Sequence, residues 1–156
     1  PRPSGHPPEV HSAGLGNDEG LFAVAAVVWD RADFPVEPSG AMRVLWDDPH
    51  CSVVFFSARA AAHFGERLLE TGVPAVALHY GPLLLRLDPL AKTEEPGGLP
   101  LRRARELLAH CPAGRACASA EFAAEARLEG FRSTFEYLGR RPSPSGPDRQ
   151  IFQLAK

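Results

Sequence analysis

The sequence has no long hydrophobic run and no excess of one charge, and each absence excludes a class of protein. No apolar stretch approaches the roughly 18 residues of a membrane-spanning helix, and the N terminus lacks the charged-then-apolar layout of a secretion signal. The 17 Lys and Arg residues nearly balance the 19 Asp and Glu residues, so a net charge of −2 provides no field for attracting nucleic acid or anionic membranes. We therefore expect a cytoplasmic protein with no nucleic-acid or membrane partner.

Cysteine is also scarce. The chain has three cysteines, Cys51, Cys111 and Cys117, which form no CxxC pair and lie in or beside apolar stretches. An odd number in this setting predicts reduced thiols in the core, not a disulfide framework or a metal site.

The composition predicts one domain preceded by a tail. Residues 1–19 are rich in Pro, Gly and Ser and have little to bury, which predicts a flexible tail or linker. His6 and His11 fall in this segment and are interpreted as solvated side chains, because no further ligand is near them in the sequence. Residues 20–156 are expected to form a single domain, since 44% of the 156 residues are hydrophobic, which is enough for one core.

Apolar runs and their punctuation predict alternating strands and helices. Residues 20–29 (GLFAVAAVVW) are typical of a strand buried on both faces. Residues 41–46 and 51–56 flank an Asp-Asp-Pro-His segment, which predicts a hairpin. Residues 57–72 begin with serine, end with glycine and have apolar residues at helical spacing, so they predict an amphipathic helix on a sheet.

The rest of the chain continues this alternation. Residues 73–82 and 83–89 are predicted to be two strands joined by a tight turn at Gly81 and Pro82. Two helices and three strands are then predicted, at residues 99–110 and 119–130, and at residues 113–119, 131–139 and 149–156. The order predicts an α+β fold with a mixed sheet, in the manner of a ferredoxin-like unit with an added hairpin.

Several of these segments resemble one known family. Residues 79–82 (HYGP) resemble the HxGP turn of class III adenylate/guanylate cyclase catalytic domains, and residues 93–107 are similar to the family's Asp, aromatic, Gly, then V-N-x-A-A-R layout. Residues 112–126 resemble its PPGEVLVSEA element, and FEYLGRR followed by IFQL resembles its closing FxxLGxxxLKG…VYxL. Order and spacing agree from about residue 57 to the end of the chain.

The resemblance implies a defined chemistry. In this family the ribose 3′ oxygen of ATP or GTP attacks the α-phosphate, and two Mg²⁺ or Mn²⁺ ions on two carboxylates activate the nucleophile. An Asn and an Arg orient the ribose and stabilise the transition state, a basic residue holds the phosphates, and a polar pair selects the purine. The site is shared across a dimer.

The resemblance leaves the two metal-binding carboxylates open. Residues 30–34 (DRADF) reproduce the family's D-x-x-x-F spacing and place Asp30 as the first ligand, whereas a rival alignment places Val24 there. The second carboxylate would lie in the hairpin turn at Asp48. A strict register instead puts Pro49 at that position, and the aspartates are then turn caps.

The helix that follows retains part of the family pattern. Glu94 falls where the purine-selecting Asp would be, and Arg105 falls on the transition-state Arg. Leu101 replaces the ribose-orienting Asn, and a leucine cannot donate or accept a hydrogen bond. The loss of one such interaction costs a few kcal/mol of transition-state stabilisation.

The phosphate-binding Lys is also missing. Residues 142–146 (PSPSG) stand where L-K-G is expected, and Arg140 and Arg141 are the candidate substitutes. Consecutive residues on a strand point to opposite faces, so at most one of the pair faces a given site. Arg102 and Arg103, beside Arg105, form another candidate anion site or a solvated helix face.

A structural segment of the family is missing as well. Active relatives place two helices between the first strand and the hairpin, but here the link contains Pro35, Pro38 and Gly40 and is too short for them. We therefore expected a sheet face that the N-terminal tail, a second copy or another protein must cover.

Three functions follow from the resemblance. The first is a non-catalytic cyclase-homology module with a regulatory or protein-interaction role in signalling, working as a homodimer or with a cyclase-like or signalling protein, and without a cofactor. The second is a purine nucleotide cyclase that shares its site with a partner chain and uses Mg²⁺ or Mn²⁺. The third is a sensor that binds a nucleotide without turnover.

Overall fold

Strands and helices alternate along the chain in a computed structural model that describes residues 9–11, 19–30, 40–47, 50–86, 99–144 and 146–155. The strands are β1 (Glu9–His11), β2 (Glu19–Trp29), β3 (Ala41–Asp47), β4 (His50–Phe55), β5 (Ala75–Arg86), β6 (Arg115–Ser119), β7 (Phe135–Ser143) and β8 (Gly146–Leu154). The helices are α1 (Ala58–Glu70), α2 (Leu99–Leu108) and α3 (Ala120–Leu128).

All of the described strands belong to one sheet. Seven follow the order β3-β4-β2-β5-β6-β8-β7, and β1 pairs with β2. β5 and β6 run parallel, whereas the other pairs are antiparallel. The predicted α+β class with a mixed, ferredoxin-like sheet is therefore confirmed.

The strand β2, inside the sheet, is buried on both faces. Along β2, Val27 and Trp29 point into a core formed with α1 and α3, while Val24 and Val28 point into a second core formed with α2. All four side chains have 0% exposure in the single chain. This burial is found within one chain, whereas the segment that covers the face cannot be assigned to the tail or to a second copy from the described residues, and residues 31–39 of the shortened link lie outside them.

β5 is one continuous strand where the sequence predicted two strands and a turn. Gly81 and Pro82 pair with Val24 and Ala23 of β2, so the antiparallel ladder passes through the predicted turn. On its other side, β5 pairs with β6 only as far as Leu78. A proline has no N–H to donate, and it is tolerated here because one edge of the strand lacks a partner within the described sheet.

The helix boundaries follow the predicted caps. The Ser57 side chain accepts a hydrogen bond from the N–H of Ala60 at the start of α1, and Ser119 plays the same part in α3. Gly72 and Gly130 follow the two helices with φ of 93° and 88°, a conformation that favours glycine. The longest described helix, α1, has 13 residues, and none of the described helices combines the length and hydropathy of a membrane span.

Two other findings concern the tail and the thiols. A short strand, Glu9–His11, lies within the segment for which the sequence predicted a flexible tail. None of the three cysteines forms a disulfide, and Cys51 and Cys117 are buried. A hydrogen bond with Cys111, together with burial, holds the pKa of Cys117 above its ordinary value, so this thiol stays protonated.

A carboxylate at the end of α3 caps the beginning of α1. Glu129 accepts hydrogen bonds from the Ser57 hydroxyl at 2.6 Å and from the N–H groups of Ala58 and Arg59 at 3.1 and 3.2 Å. Burial works to raise the pKa of Glu129, but these hydrogen bonds outweigh it and hold the pKa below its ordinary value. The interaction fixes α1 and α3 side by side on one face of the sheet.

Replacing Glu129 with alanine should lower the free energy of unfolding by about 2 kcal/mol, because the Ser57 hydroxyl and the N–H groups at the helix start, which are partly buried or exposed, lose a charged acceptor. Urea unfolding followed by far-ultraviolet circular dichroism measures this change. Glu70→Ala, at the exposed end of α1, is the matched control and should change stability by less than about 0.5 kcal/mol. Equal effects of the two substitutions would contradict the capping role.

Candidate functional site

A buried histidine on β5 marks the centre of the site. His79 is 5% exposed, and its Nδ1 lies 2.7 Å from the Ser119 hydroxyl at the start of α3. Burial, with a smaller contribution from Arg103 and against the opposing effect of Glu121, lowers the pKa of His79 to about 4. The imidazole is therefore neutral at pH 7.

The Ser119 hydroxyl explains the orientation of this ring. Its oxygen already accepts the N–H of Phe122 at 3.2 Å as the cap of α3, so its hydrogen is free to be donated to Nδ1 of His79. A Cβ on Gly81 would lie 3.3 Å from Nε2 of His79, which is a tight contact, so the glycine of the HYGP motif leaves room for this ring.

His79 and Ser119 line a cavity of about 290 Å³. α2 forms one wall, the junction of β6 and α3 forms the floor, and the β7–β8 hairpin forms the opposite wall. A hydrogen bond of 2.8 Å from the Ser143 hydroxyl to Glu106 ties the hairpin to α2. The charged side chains around the cavity are those of Arg103, Glu106, Glu121, Arg140, Arg141, Asp148 and Arg149.

The two arginines proposed from the sequence as phosphate ligands lie at this cavity. Arg140 is exposed and Arg141 is half-buried, as expected for consecutive residues on opposite faces of a strand. Arg141 pairs across the hairpin with Arg149, and Arg140 pairs with Gln150. Because Ile151, two residues beyond Arg149, packs in the α2 core, Arg149 and Arg141 lie on the α2 side of the hairpin.

The basic residues of α2 differ in their position relative to this cavity. Arg103 borders it, whereas Arg102 is exposed and Arg105 is half-buried, and neither of these two belongs to the lining. Leu101 is 3% exposed and packs in the core between α2 and the sheet. Glu94, the proposed purine-selecting residue, lies outside the described residues.

The candidate metal ligands lie at a different place on the sheet. Asp30 follows β2, and its carboxylate lies 3.0 Å from Nε2 of His50, the first residue of β4. The Asp30 side chain is 58% exposed. Asp48 and Pro49 lie outside the described residues, and Val24, from the rival alignment, is fully buried in the core.

The donors that the structure describes here do not by themselves make up a two-metal centre. Such a centre needs two carboxylates within coordination distance of both ions. Asp30, at this end of β2, contacts the imidazole of His50, and His50 pairs with Asp47 of β3 in the sheet. Across the same ranges, no three His, Cys, Asp or Glu side chains lie close enough together to hold a metal ion.

Sequence reasoning missed several residues of the cavity, namely His110, Glu121, Asp148 and Arg149. They come from separate elements, and the register of the β7–β8 hairpin brings Arg149 opposite Arg141. Arg141 lies two residues from Gly139 in β7, and Arg149 lies two residues from Ile151 in β8, so the members of each pair lie on the same face of their strand. The apolar Ile151 could therefore have indicated which face of the hairpin carries Arg149. The sequence alone did not specify which positions pair.

Comparison with known proteins identifies the fold. The adenylyl cyclase CyaB from P. aeruginosa is 12% identical, with a TM-score of 0.65 over 88% of this chain and 96% of that chain. The guanylate cyclase domain of RhGC from Catenaria anguillulae, solved in complex with GTP, is 13% identical, with a TM-score of 0.66 over 85% and 96%. The adenylate/guanylate cyclase/hydrolase from Silicibacter pomeroyi is 12% identical, with a TM-score of 0.66 over 88% and 98%.

No model of a known family and no curated protein matches the sequence itself. At such low identity the likeness establishes a shared architecture, and the functional residues have to be judged one by one.

Proposed function

Starting from a chain with the fold of class III nucleotide cyclase catalytic domains, we propose that it does not form cyclic nucleotide and acts in cytoplasmic signalling by binding another protein. The observation that carries this proposal is the position of Leu101. It stands where the family places a ribose-orienting Asn, and it is buried in the core between α2 and the sheet. A side chain in that environment neither reaches nor orients a ribose.

The remaining candidate residues support the same conclusion. Cyclisation needs a deprotonated 3′ oxygen and stabilised charge on the phosphates, and each lost term lowers the rate by a factor of about 100 or more. The Asp30 carboxylate faces His50. Loss of the ribose-orienting Asn and of the terminal Lys acts on the same transition state.

The proposal predicts no cyclase activity. With ATP or GTP and Mn²⁺, the purified chain should release cyclic product and pyrophosphate at the rate of a protein-free control. Asp30→Asn should leave that background rate unchanged. Product formation that depends on Asp30 would overturn the proposal.

Sharing of the site with a partner chain is the second candidate function. It is favoured by Asp30, which lies at the end of β2 beside the β3–β4 hairpin, as the family arrangement requires, and by Arg105 on α2. The guanylyl cyclase domain of the RhoGC fusion protein from Blastocladiella emersonii, which has a similar fold, is described as a non-canonical dimer. Under this alternative, a cyclase-like partner mixed with the chain would gain activity that Arg105→Gln removes.

A further inference from the structure

Two cysteine side chains lie against each other where α2 is followed by β6. Cys111 comes shortly after α2, and its N–H donates to the carbonyl of Leu108 at 3.1 Å. Cys117 lies in β6, within the core between α2 and the sheet, and Cys111 packs against that core. The two thiols are joined by a hydrogen bond.

A tight turn brings these two residues together. The N–H of Arg115 donates to the carbonyl of Pro112 at 3.2 Å, and the N–H of Gly114 donates to the carbonyl of Pro74 at 2.6 Å. Gly114 has a φ of 78°, a conformation that favours glycine. The chain between the two cysteines is therefore already folded back before any bond forms between their sulfurs.

The sulfur of Cys111 lies over the two parallel strands of the sheet. Its Sγ is 3.2 Å from the carbonyl oxygen of Arg115 in β6 and 3.6 Å from the carbonyl oxygen of Val76 in β5. Arg115 and Cys117 are two residues apart in β6, so their side chains leave the strand on the same face. The Cys117 side chain therefore projects from the part of β6 that Cys111 covers.

The two thiols differ in access and in acidity. Cys111 is half-buried, whereas Cys117 has 0% exposure. A hydrogen bond from the Cys117 thiol is the main reason that the pKa of Cys111 lies below its ordinary value, against the opposing effect of burial. Because the thiolate is the reactive form of cysteine, Cys111 is the group that a small oxidant meets first. Cys51, also with 0% exposure, belongs to the other core, formed with α1 and α3.

We propose that Cys111 and Cys117 form a reversible disulfide when hydrogen peroxide oxidises the chain, and that this bond fastens the end of α2 to β6. The Cys111 sulfur attacks one peroxide oxygen, the S–O bond forms, the O–O bond breaks, and the other oxygen leaves as water after taking up the proton that Cys111 has lost. The Cys117 sulfur then attacks the Cys111 sulfur, the S–S bond forms, the S–O bond breaks, and a second water carries away the Cys117 proton. The two thiols lose two electrons, and the peroxide gains them.

This proposal goes beyond the proposed signalling role and does not depend on it. Neither cysteine lines the cavity at His79, and neither is a residue that the cyclase resemblance would use. Oxidation of the pair and the presence or absence of cyclisation are therefore measured separately.

Treatment of the folded chain with hydrogen peroxide, followed by blocking of free thiols and mass spectrometry, tests the proposal. The intact chain should lose the mass of two hydrogen atoms, and dithiothreitol should restore it. Trypsin cuts after Arg115, between the two cysteines, so the disulfide should appear as two peptides linked through Cys111 and Cys117. Both thiols should disappear at least about tenfold faster than the Cys51 thiol, which serves as an internal reference.

Three variants define the order of the steps. Cys51→Ala should leave the linked peptides unchanged. Cys117→Ala should stop at the sulfenic acid of Cys111, which dimedone traps, and Cys111→Ala should remove the rapid loss of the Cys117 thiol. Circular dichroism checks that each variant is folded, and the result on the native chain decides the proposal even where a variant is not.

Three results on the native chain would overturn the proposal. The first is loss of the Cys111 and Cys117 thiols no faster than that of Cys51. The second is a disulfide that joins two chains or includes Cys51. The third is oxidation of Cys111 to a sulfinic acid, which dithiothreitol does not reverse, while Cys117 keeps its thiol.

Discussion

Leu101→Asn should lower the free energy of unfolding by about 3 kcal/mol and should not create cyclase activity. The substitution restores the residue type that active relatives use for the ribose, but position 101 is 3% exposed and lies in the core between α2 and the sheet. An amide there has no water to bond and leaves an apolar contact unfilled. Urea unfolding at pH 7 measures the loss, and the ATP and GTP assays measure activity.

Two controls separate burial from general damage to α2. Leu101→Met keeps the apolar volume and should cost less than about 1.5 kcal/mol. Arg102→Ala changes the exposed neighbour and should cost less than about 0.5 kcal/mol. If Leu101→Asn is as stable as the native chain, position 101 is exposed to solvent. The main argument for a non-catalytic domain would then be lost.

Acid should destabilise the fold through His79 by roughly 3 kcal/mol between pH 6.5 and pH 4. Its pKa is about 4 in the folded chain against 6.5 for an ordinary histidine, chiefly because the ring is buried. Above pH 6.5 the ring is neutral in both states. As the pH falls, the unfolded chain binds the proton first, so stability present above pH 6.5 is lost down to about pH 4.

Comparison with His79→Gln isolates this contribution. Glutamine cannot be protonated, so the variant should be less stable than the native chain at pH 7. As the pH falls over this range, its unfolding should take up about one proton fewer, so the variant should lose less stability than the native chain. Urea unfolding at intervals of half a pH unit gives both curves. Parallel curves for the two proteins would show that His79 is not held neutral. Carboxylates such as Glu129 titrate in both proteins and cancel in the difference.

The sequence predicted the elements better than their connections. Serine caps and the glycines after α1 and α3 were readable because capping is local chemistry. The Gly81-Pro82 pair was misread as a turn, because whether such a pair bends the chain depends on the strand beside it. Here β2 continues past both residues and holds them extended.

The site shows the same division. The sequence alone identified the HYGP motif, the Leu at position 101 and the basic residues of α2 and β7, since each depends on residue type. Only the tertiary structure decided that Leu101 faces the core, that Asp30 meets His50, and that Arg103, Arg141 and Arg149 converge on one cavity. The reason is that a side chain's partners are set by sheet register and helix packing, and both arise from contacts between residues far apart in the chain.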